Sequence, residues 1–287
     1  MSPAPPPPVA SRYPQRVVCL TEETTETLYR IGAGDLVVGV SGFTVRPPEA
    51  RRKPRVSTFL RADADAIAAL RPDLVVGFSD LQADIARDLV GRGFSVLVTN
   101  QRSIPEILQT IRLVTAAVGR ADQGAALAAE LEAGLARLAT EAARLPRRPR
   151  VFFEEWPDPL IAGIRWVSEL VELCGGEDVC AETRAWQAAR GRILSPEEVA
   201  RRDPEVVIAS WCGRKARREV IAGRPGFVGT RAVRDDQLYE VKSALILQPG
   251  PAALTEGASQ LAAILGAVAR GEKLPPPRPG ELRRAGS

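Results

Sequence analysis

DAIAALRPDLVVGFS, Asp65 to Ser79, aligns without a gap to EEVARRDPEVVIASW, Glu197 to Trp211. Each reads as a short helix opened by an acidic residue, which the positive end of a helix favours. A proline stops the helix, Asp73 or Glu205 follows, and an apolar β-branched run then supplies a buried strand. An internal repeat of this kind divides the chain into two similar halves.

The repeat extends outward from these stretches. RVVCL from Arg16 and RVFFEEW from Arg150 each begin a half with a short strand, and both are read as entering a helix that ends in glycine. In ETLYRIGAG and ELVELCGG, Gly32 and Gly175 suit the left-handed position after a helix C-terminus. Strands alternating with helices predict parallel sheets with helices on their faces. Between the halves, Pro105 to Leu145 is rich in Ala, Leu, Glu and Arg and is divided by Gly119. Ala121 to Leu145 predicts one helix of about 35 Å. The fold class expected is α/β: two Rossmann-like lobes joined by a long helix, with a ligand cleft between them. The expected divisions are a disordered proline-rich tail at 1–15, an N-terminal lobe at 16–104 and connecting helices at 105–145. A C-terminal lobe with a final helix follows at 146–271, then a disordered tail at 272–287.

Composition narrows the function. The 287 residues are 45% apolar and 26% charged, with a net charge of +4 from 39 basic and 35 acidic side chains. So mild and interleaved a charge does not point to nucleic acid, and the short basic clusters at Arg51–Lys53, Arg147–Arg150 and Arg214–Arg218 read as solvated faces. No histidine is present, which excludes histidine-dependent catalysis and His-rich metal sites. Cys19, Cys174, Cys180 and Cys212 form no CxxC pair, so neither zinc nor thiol redox chemistry is supported. No run reaches the roughly 20 apolar residues of a membrane span. The N-terminus lacks the pattern of a secretory signal, giving a cytoplasmic expectation. A monomer is expected.

In open α/β sheets ligands collect beyond the C-terminal ends of the strands. In the first half these positions hold Glu22 and Glu23, Phe43 and Thr44, Phe59 in STFL, and Phe78 with Ser79. In the second half they hold Glu155 and Trp156, Trp186, Trp211 and Gln248. Phe43 and Phe78 are equally readable as core, and Trp166 reads as core-facing. Phe59 and Trp211, on polar loops, read as ligand contacts, and Trp156 as the rim of a site. Glu154 and Glu155 are taken to end a strand with one side chain pointing inward, so that with Glu22 and Glu23 the cleft is acidic from both sides. Such a cleft disfavours anionic ligands. Glu23 and Glu155 are equally readable as acids at a helix N-terminus.

The order of strand, helix and helix-Pro-acid-strand in duplicate, with a long helix between, resembles the class III periplasmic binding proteins of ABC importers. GVSGFTVRPPEA, PRVSTF, ALRPDLVVGF, ELVELCGGEDV and SPEEV carry the resemblance. It covers Arg16 to about Arg270 and is nearest to the vitamin B12-binding proteins. The resemblance implies a carrier of cobalamin or a related corrinoid, without catalytic, metal-binding or cofactor-binding residues. Phe43, Phe59 and Phe78 match positions where that group carries aromatics. Asp65 and Glu197 are implied to dock an ABC permease, helix N-capping being the other reading of both. Two departures stand out. Ala244 and Gln248 replace a charged pair of that group, and the implied disulfide of Cys174 lacks its partner because Leu261 occupies that place. A ferric-siderophore or haem carrier is the second hypothesis, with Arg46, Arg102, Arg165 and Arg214 as anion-binding candidates. A chelatase-like enzyme using Glu154 or Glu155 as base is the third.

Overall fold

The computed structural model describes residues 12–274; most of both expected tails, at 1–11 and 275–287, lies outside the described residues. Contacts divide the chain into two compact units. One comprises residues up to Asn100 with Thr110–Leu127, the other Gln101–Gln109 with residues from Ala128 on.

The first unit is built on β1 (Val17–Cys19), β2 (Val37–Ser41), β3 (Arg55–Ser57), β4 (Leu74–Phe78) and β5 (Val96–Thr99). They lie in the order β3-β2-β1-β4-β5, and every pairing is parallel. Helices α1 (Glu22–Arg30), α2 (Ala64–Ala69) and α3 (Ala83–Gly91) belong to this unit, while α4 (Ile104–Ala117) and α5 (Ala121–Ala142) contribute to both. Because side chains alternate along a strand, the sheet carries two cores. Val17 and Cys19 pack with Leu28 of α1 and Val114 of α4, whereas Val18 and Leu20 pack with Ile67 of α2 and Leu89 of α3.

The second unit contains β6 (Arg150–Pro157), β7 (Leu160–Ala162), β8 (Glu177–Asp178), β9 (Val206–Ala209) and β10 (Leu238–Glu240). Their order is β10-β9-β6-β7, with β8 on β6. Its helices are α6 (Arg165–Leu173), α7 (Pro196–Arg201), α8 (Arg218–Ala222), α9 (Arg231–Arg234), α10 (Ser243–Ile246) and α11 (Ala258–Ala269). Here the sheet departs from the all-parallel expectation. β6 does not lead straight into a helix but folds back on β7 as an antiparallel hairpin. Two prolines at 157 and 159 break the strand, and Trp156 Nε1 closes the turn by donating to the Asp158 carbonyl at 2.9 Å. Glu154 and Glu155 therefore sit inside β6 rather than at its end.

The repeat is matched residue by residue. Asp63 and Ser195 cap α2 and α7, accepting from the amides of Ala66 and Glu198; Asp65 and Glu197 are first-turn acids, not caps. Arg71 and Asp203, just before the two prolines, both adopt left-handed φ, of 46° and 43°. Asp73 then receives the amides of Gln15 and Arg16, each at 2.8 Å, and Glu205 receives that of Arg150 at 2.9 Å. In each unit the acid after the proline thus fastens the start of the first strand. Gly32 and Gly175, with φ of 75° and 91°, end α1 and α6 as expected. The expected tail residues up to Gln15 are partly engaged: besides the Asp73 contact, the Tyr13 ring packs so close to Gly119 that a Cβ there would clash.

Candidate functional site

In the first unit the C-terminal ends of β2, β3 and β4 share one edge of the sheet, and the loops leaving them expose apolar side chains. Phe43 is 53% exposed, Leu60 64% and Leu81 60%. Phe59 is half-buried beside Phe78, which is buried, with ring centroids 6.3 Å apart and planes tilted by 50°. The buried Gln82 joins these loops: its Oε1 accepts from the Phe78 amide and its Nε2 donates to the Phe59 carbonyl, both at 3.0 Å. A Cβ at Gly77 would lie 2.7 Å from Gln82 Oε1, so glycine makes room for this amide. Gln82 had no signal in the sequence, because only the fold brings it under both loops. Thr44 and Ser79 are buried behind the exposed side chains, Ser79 with φ of 82° and its Oγ accepting from the Leu81 amide.

The expected acidic rim is not a pair of free charges. Glu23 is buried, and its Oε1 accepts from the Thr21 hydroxyl at 2.6 Å while Oε2 has no partner. Burial pushes its carboxyl up to about 8, so it is largely neutral at pH 7. Burial also raises Glu22. Glu154, wholly buried, holds Arg224 through two bonds of 2.6 Å and accepts from Trp211 Nε1 at 2.7 Å. Its burial raises the carboxyl against the lowering pull of those two donors. Glu155, its neighbour on β6, pairs with Arg192 at 2.6 Å. Acidity from these residues therefore does not stand against an anionic ligand: Glu154 and Glu155 each meet a guanidinium, and burial favours the neutral form of Glu23.

The four tryptophans of the second unit are held differently. Trp166 is buried in the core with Nε1 donating to the Ile246 carbonyl at 2.9 Å. Trp211, expected as a loop-borne contact, is also buried, because Glu154 takes its Nε1. Trp156 is half-buried under the Arg214 guanidinium, 5.5 Å from its ring. Trp186 is 59% exposed. It borders a hollow of about 100 Å³ whose wall includes Arg102, Glu106, Arg165 and Arg184. These charges are largely paired: Arg165 bonds Glu169 and Arg184 bonds Glu172, while Glu106 accepts from the amides of Arg102 and Ser103. Those amide bonds, chiefly from Arg102, hold the Glu106 carboxyl below its usual range. Gln248 is half-buried on the loop beyond α10, well separated in sequence from that hollow.

Asp65 is almost fully exposed and pairs with Arg92 at 2.8 Å; Glu197 is exposed in the first turn of α7. None of the four cysteines is in a disulfide, and the Cys174 thiol donates to the Ala258 carbonyl in the final helical segment at 3.4 Å. Among the described residues no group of three or more Cys, Asp and Glu side chains is placed to hold a metal ion. No described helix is long and apolar enough to cross a membrane.

Beyond their strand ends the two α/β units expose apolar and aromatic side chains, Phe43, Leu60 and Leu81 in the first and Trp186 in the second. A family model described as periplasmic binding protein matches residues 17–245, and the chain belongs to that family. It is 25% identical over 260 residues to the ABC transporter substrate-binding lipoprotein YvrC of Bacillus subtilis, covering 88% of this chain and 80% of that one. It is 28% identical over 199 residues to a vitamin B12-binding protein of Yersinia pestis, covering 68% of this chain and 69% of that one. Among solved structures it resembles a periplasmic haem-binding protein, RhuT of Roseiflexus sp. RS-1, with a TM-score of 0.73 and 25% identity over 88% of this chain and 99% of that one. The vitamin B12-binding protein BtuF of Vibrio cholerae superposes with a TM-score of 0.72 at 24% identity, covering 90% and 99%. The chain is thus a substrate-binding protein of the ABC-importer type, a binder of small ligands. The family is typically periplasmic or lipid-anchored, and the cytoplasmic expectation finds no support.

Proposed function

We propose that the chain binds cobalamin or a related corrinoid for delivery to an ABC permease, with no resident cofactor of its own. The observation that carries this reading is the exposed apolar edge of the first unit, where Phe43, Leu60 and Leu81 lie beyond the C-terminal ends of β2, β3 and β4 on one side of a single parallel sheet. A flat macrocycle with an apolar face suits such a surface. The Yersinia pestis relative, named a vitamin B12-binding protein, supports the same ligand class. The tyrosines, which would be the natural iron ligands of a haem carrier without histidine, stand away from the strand-end loops. Tyr239 is buried within β10, Tyr29 lies in the last turn of α1, and Tyr13 precedes β1. Asp65 and Glu197, exposed at equivalent places of the repeat, are the proposed permease contacts. Delivery to a permease places the protein's work outside the cytoplasm.

A second reading, a carrier of haem or a ferric siderophore, has the haem-binding RhuT among the similar structures and, beside Trp186, a hollow lined by Arg102, Arg165 and Arg184, the last two of which a ligand carboxylate would have to draw from Glu169 and Glu172. One experiment separates the two. The purified protein is mixed in turn with cyanocobalamin, haemin and a ferric siderophore and passed over a desalting column. Coelution of the red cobalamin absorbance is expected; its loss, with haemin or ferric siderophore retained, would reverse the ranking.

A further inference from the structure

Glu155 and Arg192 form a two-point ion pair, Nη1 to Oε2 at 2.6 Å and Nη2 to Oε1 at 3.1 Å, and Nη1 also donates to the Ala162 carbonyl. The Arg192 side chain is 2% exposed, and its Nε is buried without a partner. Burying a guanidinium is a poor route to stability, since its desolvation offsets most of what the pairing returns. What such a pair does well is hold one segment in one place. The segment here is the turn Ala189–Arg192, fastened to the β6–β7 hairpin by the ion pair, by the Ile161–Ile193 bridge and by the Leu194 amide on the Leu160 carbonyl.

That turn backs an indole. A Cβ built on Gly191 would lie 2.5 Å from Trp186 Cγ and 2.6 Å from Cδ2, so the ring rests directly on the Gly191 backbone. At its other end Trp186 is tied by its amide to the Thr183 carbonyl at 3.0 Å. An exposed tryptophan with one face seated on backbone presents its other face in a defined plane. We propose that Glu155 and Arg192 are positioning residues that, through Gly191, set the plane of Trp186 as a ligand wall. The inference deepens the binding reading and rests on Trp186 belonging to the ligand site.

The test labels the whole protein with 5-fluorotryptophan and reads four ¹⁹F resonances, that of Trp186 being assigned with Trp186→Phe. Glu155→Gln removes the charge and keeps the shape. Gly191→Ala leaves the ion pair intact and displaces the ring. In both variants the Trp186 resonance is expected to move and narrow, with that of Trp166 unchanged as the sign of an intact fold, and cyanocobalamin affinity is expected to fall about tenfold. The double reversal Glu155→Arg with Arg192→Glu is expected to recover part of the wild-type spectrum. A Trp186 resonance unmoved in Glu155→Gln would overturn the positioning role, whatever the ligand proves to be. A moved resonance in a protein whose wild type binds no corrinoid would sink the ligand assignment alone and leave the positioning role standing.

Discussion

Glu154 and Arg224 meet through two parallel bonds of 2.6 Å, with the carboxylate wholly buried and the guanidinium nearly so. The same carboxylate holds Trp211. Seventy positions apart in the chain, these two residues join β6 to the segment that follows α8.

Removing one partner leaves an uncompensated charge in the core. Arg224→Ala is expected to cost about 3–5 kcal/mol, read from urea denaturation. Glu154→Gln keeps an acceptor for Trp211 but leaves the Arg224 guanidinium without its counter-charge, so a comparable cost is expected. A double substitution, Glu154→Leu with Arg224→Met, should recover much of the loss; equal destabilisation by the double and the single arginine variant would show that the pair is not what Arg224 contributes.

Glu23 makes stability depend on pH with a definite sign. Its folded carboxyl stands at about 8, above the 4.5 of an ordinary glutamate. The folded state therefore binds the proton more tightly, and this contribution is fully present below about pH 4.5 and lost as pH rises through about 8. Glu23→Gln, which mimics the protonated form, should match the wild type in thermal midpoint near pH 4 and exceed it near pH 9. A difference that is flat across this range would place the carboxyl at its ordinary value.

Phe43 follows β2 and Phe78 ends β4 of the same sheet, but they differ in exposure, so their truncation should separate binding from folding. Phe43→Ala is expected to weaken cyanocobalamin binding by about 1–3 kcal/mol in calorimetric titration and to leave the melting temperature nearly unchanged. Phe78→Ala should instead cost about 3–5 kcal/mol of stability. If Phe43→Ala binds as the wild type does, the exposed edge of the first unit is not a ligand wall.

The cysteines give a simple count. Cys212 is exposed, whereas Cys19, Cys174 and Cys180 are buried and burial pushes each thiol up to about 12. A chromogenic disulfide reagent should react rapidly with one thiol of the native protein and with the other three only after denaturant is added. Two fast equivalents would mean that one of the buried sites opens readily.

What the amino-acid order determined by itself is whatever is written locally. The two proline stops, the left-handed Gly32 and Gly175, and the apolar runs that became β4 and β9 need only steric limits and side-chain alternation within a few residues. Repetition of those local signals was enough for two α/β halves. The electrostatic reading failed for a different reason. Adjacent glutamates look like charge in a sequence, but whether they act as charge depends on burial and on which distant arginine arrives beside them. Arg192 and Arg224 lie far along the chain from Glu155 and Glu154, and Gln82 reaches Phe59 only once β3 and β4 share a sheet. The β6–β7 hairpin likewise had to be seen before Glu154 could be placed inside a strand. Solvation and pairing energies belong to neighbours in space, so the tertiary structure alone decided which side chains stayed exposed, which became pins and which lost their charge.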